Sequence, residues 1–296
     1  MGVENMKQSK KLDLNQSSLV NLVLWFVAIM LVICIRGLSL SIEYKTLLII
    51  FSGVLVWFLY KKMAKFNRFS LEQVKPNKKI DNIQLLLFVA LGVLFQNIRG
   101  MISNFLMNGE HVTNDKNIKA NIKYDVPDYL LNSVTMPVIE EVVFRGYMFI
   151  LAYLIATGIN KLMNKHKENK QKLTFRLSII IFFVLSIIFA LGHMPPTFKE
   201  FSLFYYSAIL YGVLYLVTRR LIVTICVHVI NNTMAFVSLL YPKYVMDKTG
   251  VDWIVTITLI IIIILMLCFY QPIKRWIANN MIKETKIKGD KQNGKR

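Results

Sequence analysis

The sequence is poor in the residues on which disulfide scaffolds and common zinc sites depend. It has three cysteines among 296 residues, all within apolar runs, and contains neither a CxxC pair nor an HExxH motif. These absences exclude a disulfide framework and the best-known zinc-protease pattern. Acidic residues are also scarce, 17 against 36 Lys and Arg, which gives a net charge of +19. Because the cations cluster between apolar runs, they favour membrane topology signals over a nucleic-acid partner.

Long apolar runs dominate what is present. Hydrophobic residues make up 55% of the chain, too many for an ordinary soluble domain of this length. Eight runs approach or exceed the length that crosses a bilayer: Ser18–Ile35, Tyr44–Tyr60, Ile83–Leu106, Pro137–Ala156, Leu177–Leu191, Phe201–Val217, Leu221–Leu240 and Trp253–Tyr270. We therefore predict an all-α polytopic membrane protein, with about eight transmembrane helices in one bundle and a single domain over residues 1–296.

The linkers between these runs predict the orientation of the chain in the cell membrane. Strongly basic segments follow the second, fourth, sixth and eighth runs, whereas the alternate linkers are mixed in sign. Basic loops on every second link match the positive-inside rule. Both termini are therefore expected in the cytoplasm, with polar tails at residues 1–17 and 274–296.

The fourth run carries three ionisable side chains, which are costly inside a bilayer and are therefore functional candidates. Glu141 and Arg145 stand at i, i+4, so they can pair on one helix face, while Glu140 points about 100° away. We expect Glu141 to offset the charge of Arg145 and Glu140 to face a polar cavity as a general base. The alternative is a structural network between helices.

Two later runs supply further polar candidates. His193 ends the fifth run in FALGHMPP, and His228 and Asn232 share a face of the seventh in HVINN. Each histidine could instead serve structure, at a helix end or in a hydrogen bond between helices. Arg99, in the third run, either pairs with a carboxylate or extends to the membrane interface.

Together these motifs resemble a known family. EEVVFR fits EExxxR, FALGH fits FxxxH and HVINN fits HxxxN, in that order on three runs. The pattern is similar to that of the CPBP intramembrane proteases, which include the CAAX prenyl endopeptidases of the Ras-converting type. Bacterial relatives act in bacteriocin processing, bacteriocin self-immunity and abortive infection. The resemblance covers residues 136–233 and indicates a catalytic core at about 126–241.

The resemblance implies a role for each motif residue. Glu140 and His193 would activate a water, and His228 and Asn232 would stabilise the oxyanion. Glu141 and Arg145 would support the site. The chain would then be an intramembrane endopeptidase that cleaves a small peptide or a protein terminus, with the substrate entering from the membrane or the outer face.

Two alternatives remain open at this stage. The resemblance implies a glutamate mechanism without a cofactor, but Glu140, His193 and His228 are also a possible zinc set. The same fold could also serve as a non-catalytic immunity or regulatory protein that binds a partner. A transporter is more distant, because no inverted repeat is evident.

The depth of the site depends on where the fourth helix begins. Pro137 fits a helix start, which places Glu140 within about one turn of the outer end. If residues 126–136 belong to the same helix, Glu140 moves towards the middle of the membrane.

Overall fold

A computed structural model describes residues 41–65, 80–106, 126–163, 170–240, 253–272 and 274–275. Within these ranges every regular element is helical, so the predicted all-α architecture is confirmed. In chain order the helices are α1 (Ile42–Lys65), α2 (Asn82–Leu106), α3 (Val126–Leu162), α4 (Lys170–Leu185), α5 (Ile187–Leu191), α6 (Phe198–Thr218), α7 (Leu221–Leu240) and α8 (Trp253–Pro272).

Six candidate spans occur among the described residues, judged by length and composition: α2, α3, the continuous α4–α5 stretch, α6, α7 and α8. The predicted second span lies on α1, where the apolar stretch Thr46–Leu55 is shorter. The predicted first span, Ser18–Ile35, lies outside the described residues. The chain is therefore a multi-pass membrane protein, and the count of eight is not confirmed.

Helix α3 corrects the expectation that Pro137 begins the fourth span. The helix begins at Val126, and both Thr135 and Met136 have helical backbone angles. Glu140 is therefore the fifteenth of 37 residues rather than a residue in the first turn. The alternative that joins residues 126–136 to this helix is the correct one.

Two π-helical stretches in α3 explain how the helix accommodates Pro137. They are Leu130–Thr135 and Val142–Tyr147, on either side of the α-helical segment Met136–Glu141. The Met136 N–H bonds to the Leu131 carbonyl, five residues earlier. In that register the next N–H would bond to the Asn132 carbonyl, but Pro137 has none. The Asn132 carbonyl must therefore find its donor outside the helix.

A very short link makes α6 and α7 antiparallel neighbours. Helix α6 ends at Thr218 and is followed by Arg219, which has a left-handed φ of 53° and donates its N–H to the Tyr215 carbonyl. Only Arg219 and Arg220 separate the two helices. Tyr211 and His228 lie eight and nine residues from Arg219, so at 1.5 Å per residue they reach almost the same depth.

Close packing brings α2 against this hairpin. A Cβ added at Gly92 would lie 2.6 Å from Val227 Cγ2 and 2.8 Å from Leu214 Cδ1. A side chain there would collide with both helices, so the small residue sets the distance between α2 and the α6–α7 pair. Helices α6 and α7 in turn contact the segment of α3 that carries its polar residues.

Candidate active site

A buried ionic cluster lies where α3 meets α7. Arg145 Nη1 is 3.1 Å from Glu141 Oε1, and both side chains are within 2% of full burial. The i, i+4 pair expected from the sequence is therefore present, as an ionic contact rather than a well-aligned hydrogen bond. The same Glu141 oxygen lies 2.8 Å from His228 Nδ1 on α7. Glu141 thus joins the two helices.

His228 also reaches the second carboxylate. Its Nε2 lies 3.8 Å from Glu140 Oε2, and Glu140 is only 2% exposed. The two nitrogens of one ring therefore face the two adjacent glutamates. The sequence spacing correctly predicted that Glu141, and not Glu140, pairs with Arg145. It did not predict that His228 would lie between the two glutamates.

The hydrogen bond to Glu141 determines what His228 can donate. Because a carboxylate accepts, His228 Nδ1 carries the proton in this contact. The Nε2 atom then holds a lone pair in the neutral ring and an N–H only in the cation. Arg145 offsets the charge of Glu141, and the His228 ring lies between the two carboxyl groups.

Two aromatic rings hold the Arg145 guanidinium. Its Cζ lies 4.3 Å from the centre of the Phe189 ring and 4.9 Å from that of Tyr211. Tyr211 is also stacked on His228, with ring centres 4.8 Å apart and planes 25° apart. The arginine is therefore fixed by cation–π contacts as well as by Glu141.

Tyr211 is a site residue that sequence reasoning missed. It is 1% exposed and touches both Arg145 and His228, yet it belongs to none of the three motifs. An aromatic residue in an apolar run is usually a packing residue, so the sequence offered little signal. The one available signal was distance: a two-residue link brings Tyr211 opposite His228.

His193 stands at the end of α5, where the chain reverses into α6. Its Nδ1 is 2.9 Å from the Phe189 carbonyl, so it carries the proton there. The ring stacks on Phe204 of α6 at 4.2 Å and lies 4.8 Å from the Phe189 ring. The Phe189 ring is in turn 6.3 Å from that of His228. Phe189 thus connects the two histidines.

Asn232 supplies the external donor that the break at Pro137 requires. Its Nδ2 donates to the Asn132 carbonyl at 3.2 Å. The Asn231 side chain donates to Asn232 Oδ1 at 3.2 Å, and Ser133 Oγ donates to the Asn232 backbone carbonyl at 3.4 Å. Asn232 is therefore held firmly against the first π-helical stretch of α3, a contact that the sequence did not predict.

The zinc alternative can be compared with this geometry. In the part of the chain that the structure describes, no group of three His, Cys, Asp or Glu side chains is arranged to hold a metal ion. Glu140, His193 and His228 therefore do not form such a group here. His228 instead directs one nitrogen to each glutamate.

Comparison with known proteins finds a family match over the segment that contains the buried cluster. Residues 123–234 match the family described as type II CAAX prenyl endopeptidase, Rce1-like. The chain is also 25% identical over 210 residues to the membrane-embedded CAAX protease MroQ of Staphylococcus aureus (strain USA300), which covers 70% of this chain and 78% of the relative. The predicted resemblance to the CAAX-type (CPBP) membrane proteases is therefore confirmed. No solved structure matches it.

The CAAX protease match and the buried cluster coincide along the chain. The matched residues begin just before α3 and end within α7, so they include all six predicted site residues as well as Tyr211. Helices α1, α2 and α8 lie outside the match. The family relationship therefore concerns the part of the bundle in which the ionisable side chains meet.

Proposed function

We propose that the chain is an intramembrane endopeptidase that hydrolyses a peptide bond in a small peptide or a protein terminus. The observation that best supports this is the unequal environment of the two glutamates. Glu141 contacts Arg145 and His228 at 3.1 and 2.8 Å, whereas Glu140 meets His228 at 3.8 Å, beyond hydrogen-bond distance. Glu140, buried beside His228 and outside the i, i+4 pair with Arg145, is the carboxylate suited to accept a proton from water.

In this mechanism a water attacks the peptide carbonyl while Glu140 takes its proton. The lone-pair nitrogen of neutral His193 helps to polarise the water. As the new carbon–oxygen bond forms, the carbonyl oxygen becomes negative, and Glu140 later delivers its proton to the departing amine as the carbon–nitrogen bond breaks. Donors aimed at a developing oxyanion typically contribute a large share of such catalysis.

Two donors are available for the oxyanion. Cationic His228 can donate through Nε2, and Asn232 can donate through the amide hydrogen that does not bond to the Asn132 carbonyl. Tyr211, which Arg145 contacts, stacks on the face of the His228 ring and helps to keep it in place. Glu141 and Arg145 therefore act as supporting residues.

The proposed reaction needs no cofactor, and the proposed site lies within one membrane domain. The reaction is assigned to the glutamate and the histidines without a cofactor. The catalytic core lies at about 126–241 within one membrane domain, and both termini lie in the cytoplasm. The substrate is a peptide or protein that reaches the site from the bilayer or the outer face.

The test compares wild type, Glu140→Ala and Glu140→Gln at equal levels in the membrane. The biological phenotype and the cleavage of candidate peptides are scored together, with and without a strong chelator. We expect both variants to lose cleavage and wild type to keep it in the chelator. Full function in both variants would favour a non-catalytic immunity or regulatory role, and chelator-sensitive cleavage would favour zinc.

A further inference from the structure

Helix α2 carries two polar side chains that the proposed reaction does not use. Gln96 and Arg99 stand at i, i+3 and therefore share a helix face. Gln96 is 3% exposed, and its Nε2 is buried with no hydrogen-bond acceptor among the described residues. Arg99 is half-buried, and its Nε is likewise buried without an acceptor in the described part of the chain. Both unsatisfied atoms are donors.

These donors lie beside the catalytic cluster. Ser207 Oγ on α6 donates to Gln96 Oε1 at 3.3 Å, which fixes the amide against that helix. Ser207 stands one helical turn before Tyr211 on α6, and Arg99 follows Gln96 by three residues on α2. Because Tyr211 stacks on His228, Gln96 lies close to the α6 side of the site.

Leaving such groups without an acceptor is costly. A guanidinium remains charged at all relevant pH values, and a buried donor that loses its water costs about 1–3 kcal/mol. The two buried glutamates already contact Arg145 and His228. An acceptor supplied by a ligand would resolve the imbalance.

We infer that Gln96 and Arg99 form a subsite for the C-terminal carboxylate of the peptide substrate. The inference rests on the proposed peptidase function. A carboxylate offers only acceptors, and its two oxygens suit a guanidinium and an amide that present only donors. Every peptide carries this group whatever its sequence. A lipid phosphate fits less well, because Gln96 is almost fully buried and faces α6.

The experiment measures binding, so that it does not depend on catalysis. Full-length Glu140→Gln protein in zwitterionic nanodiscs is titrated with an N-dansyl apolar tetrapeptide, made as the free acid and as the C-terminal amide. We expect the acid to bind about tenfold more tightly, the size of one lost charged hydrogen bond. Arg99→Gln should abolish the preference, and Gln96→Leu should reduce it.

The matched control is Arg220→Gln, which removes one positive charge at an exposed position. It should keep the full preference for the acid. Arg99→Lys retains the charge but not the planar group, so a partial preference is expected. Thermal melting of each variant shows whether it is folded, and Gln96→Leu provides the test if Arg99→Gln does not fold.

Several results would overturn the subsite. These are equal binding of acid and amide, no binding of either peptide, or an acid preference that survives Arg99→Gln. Competition by anionic lipid, with no difference between the two peptides, would assign the donors to a headgroup instead. If the preference is present but no peptide is ever cleaved by wild type, the subsite stands and the proposed peptidase function fails.

Discussion

Helices α3 and α8 are both apolar enough to cross a membrane, yet they differ in almost every other respect. Their mean hydropathies over the span are 1.8 and 2.8, but 56% of the α3 window is buried against 11% of the α8 window. On α8, Ile254 and Ile261 are 66% and 50% exposed, as expected of side chains that face lipid. Hydropathy therefore identifies both spans, whereas the extent of burial and the buried ionisable side chains distinguish the helix of the site from the helix at the periphery.

The polar contacts of the two helices lie at different positions. In α8, Thr256 near the start accepts a hydrogen bond from Asn97 at 2.8 Å, and Tyr270 near the end donates one to Asp81 at 2.7 Å. In α3 the contacts of Glu140 and Glu141 lie in the interior of the helix. We therefore expect large effects from substitutions of the buried glutamates in α3, on folding at Glu141 and on catalysis at Glu140, and small effects from substitutions at the ends of α8.

The largest effect on stability is expected from Glu141→Leu. The change leaves Arg145 and His228 buried without their shared carboxylate, which should cost about 3–5 kcal/mol. Chemical denaturation in detergent would measure it, with Glu141→Gln as a milder control that retains an acceptor. A loss below about 1 kcal/mol would mean that the cluster does not hold α3 to α7.

Tyr211→Leu should lower kcat of the proposed peptidase about tenfold and leave KM nearly unchanged. The reason is that the ring stacks on His228 and contacts Arg145, and such aromatic contacts contribute about 0.5–1.5 kcal/mol. Tyr211→Phe keeps the ring and should keep most of the rate. A rate that falls equally in both variants would assign the effect to the hydroxyl group instead.

A double-mutant cycle tests why Asn232 contacts α3. Asn232→Ala should destabilise the protein by about 1 kcal/mol, because the Asn132 carbonyl loses its donor. In a Pro137→Ala background the restored backbone N–H can bond to that carbonyl, so the cost should shrink. The free energies of unfolding of the four proteins supply the measurement. Equal costs in both backgrounds would show that the missing N–H of Pro137 is not the cause.

The smallest effect is expected outside the spans, at Asp81. Burial alone would raise the pKa of this carboxyl, but hydrogen bonds from the Gln84 backbone, Tyr270 and Lys274 outweigh it and lower the pKa. Its stabilising contribution is therefore full above the ordinary pKa of about 4 and is lost as the pH falls through the lower folded value. Melting temperatures between pH 7 and pH 2.5 should show Asp81→Asn slightly below wild type at neutral pH and equal to it in acid. A constant difference would contradict the assignment.

The sequence predicted the parts of the site that depend on local spacing. An i, i+4 separation was enough to pair Glu141 with Arg145, and the three motifs were enough to indicate the family. Contacts across helices required the fold. The position of His228 between both glutamates depends on how α7 packs on α3, and the stacking of Tyr211 depends on the two-residue link.

The predicted start of the fourth span at Pro137 was wrong for a physical reason. Proline is common in the first turn of a helix, so Pro137 resembled a beginning. Here the π-helical register and the Asn232 side chain together accommodate it within the helix. Single-sequence patterns do not reveal a donor that comes from residue 232, about a hundred residues along the chain.

The most direct test of the central claim, that Glu140 activates a water for peptide hydrolysis, uses ¹⁸O-labelled water. A peptide that wild type cleaves in membranes is incubated with purified wild type and Glu140→Gln in that water, and the fragments are weighed by mass spectrometry. The account predicts one ¹⁸O in the new carboxyl terminus for wild type. For the variant it predicts a rate reduced by about 10²–10⁴ with an unchanged melting temperature. Cleavage by folded Glu140→Gln at the wild-type rate would contradict it.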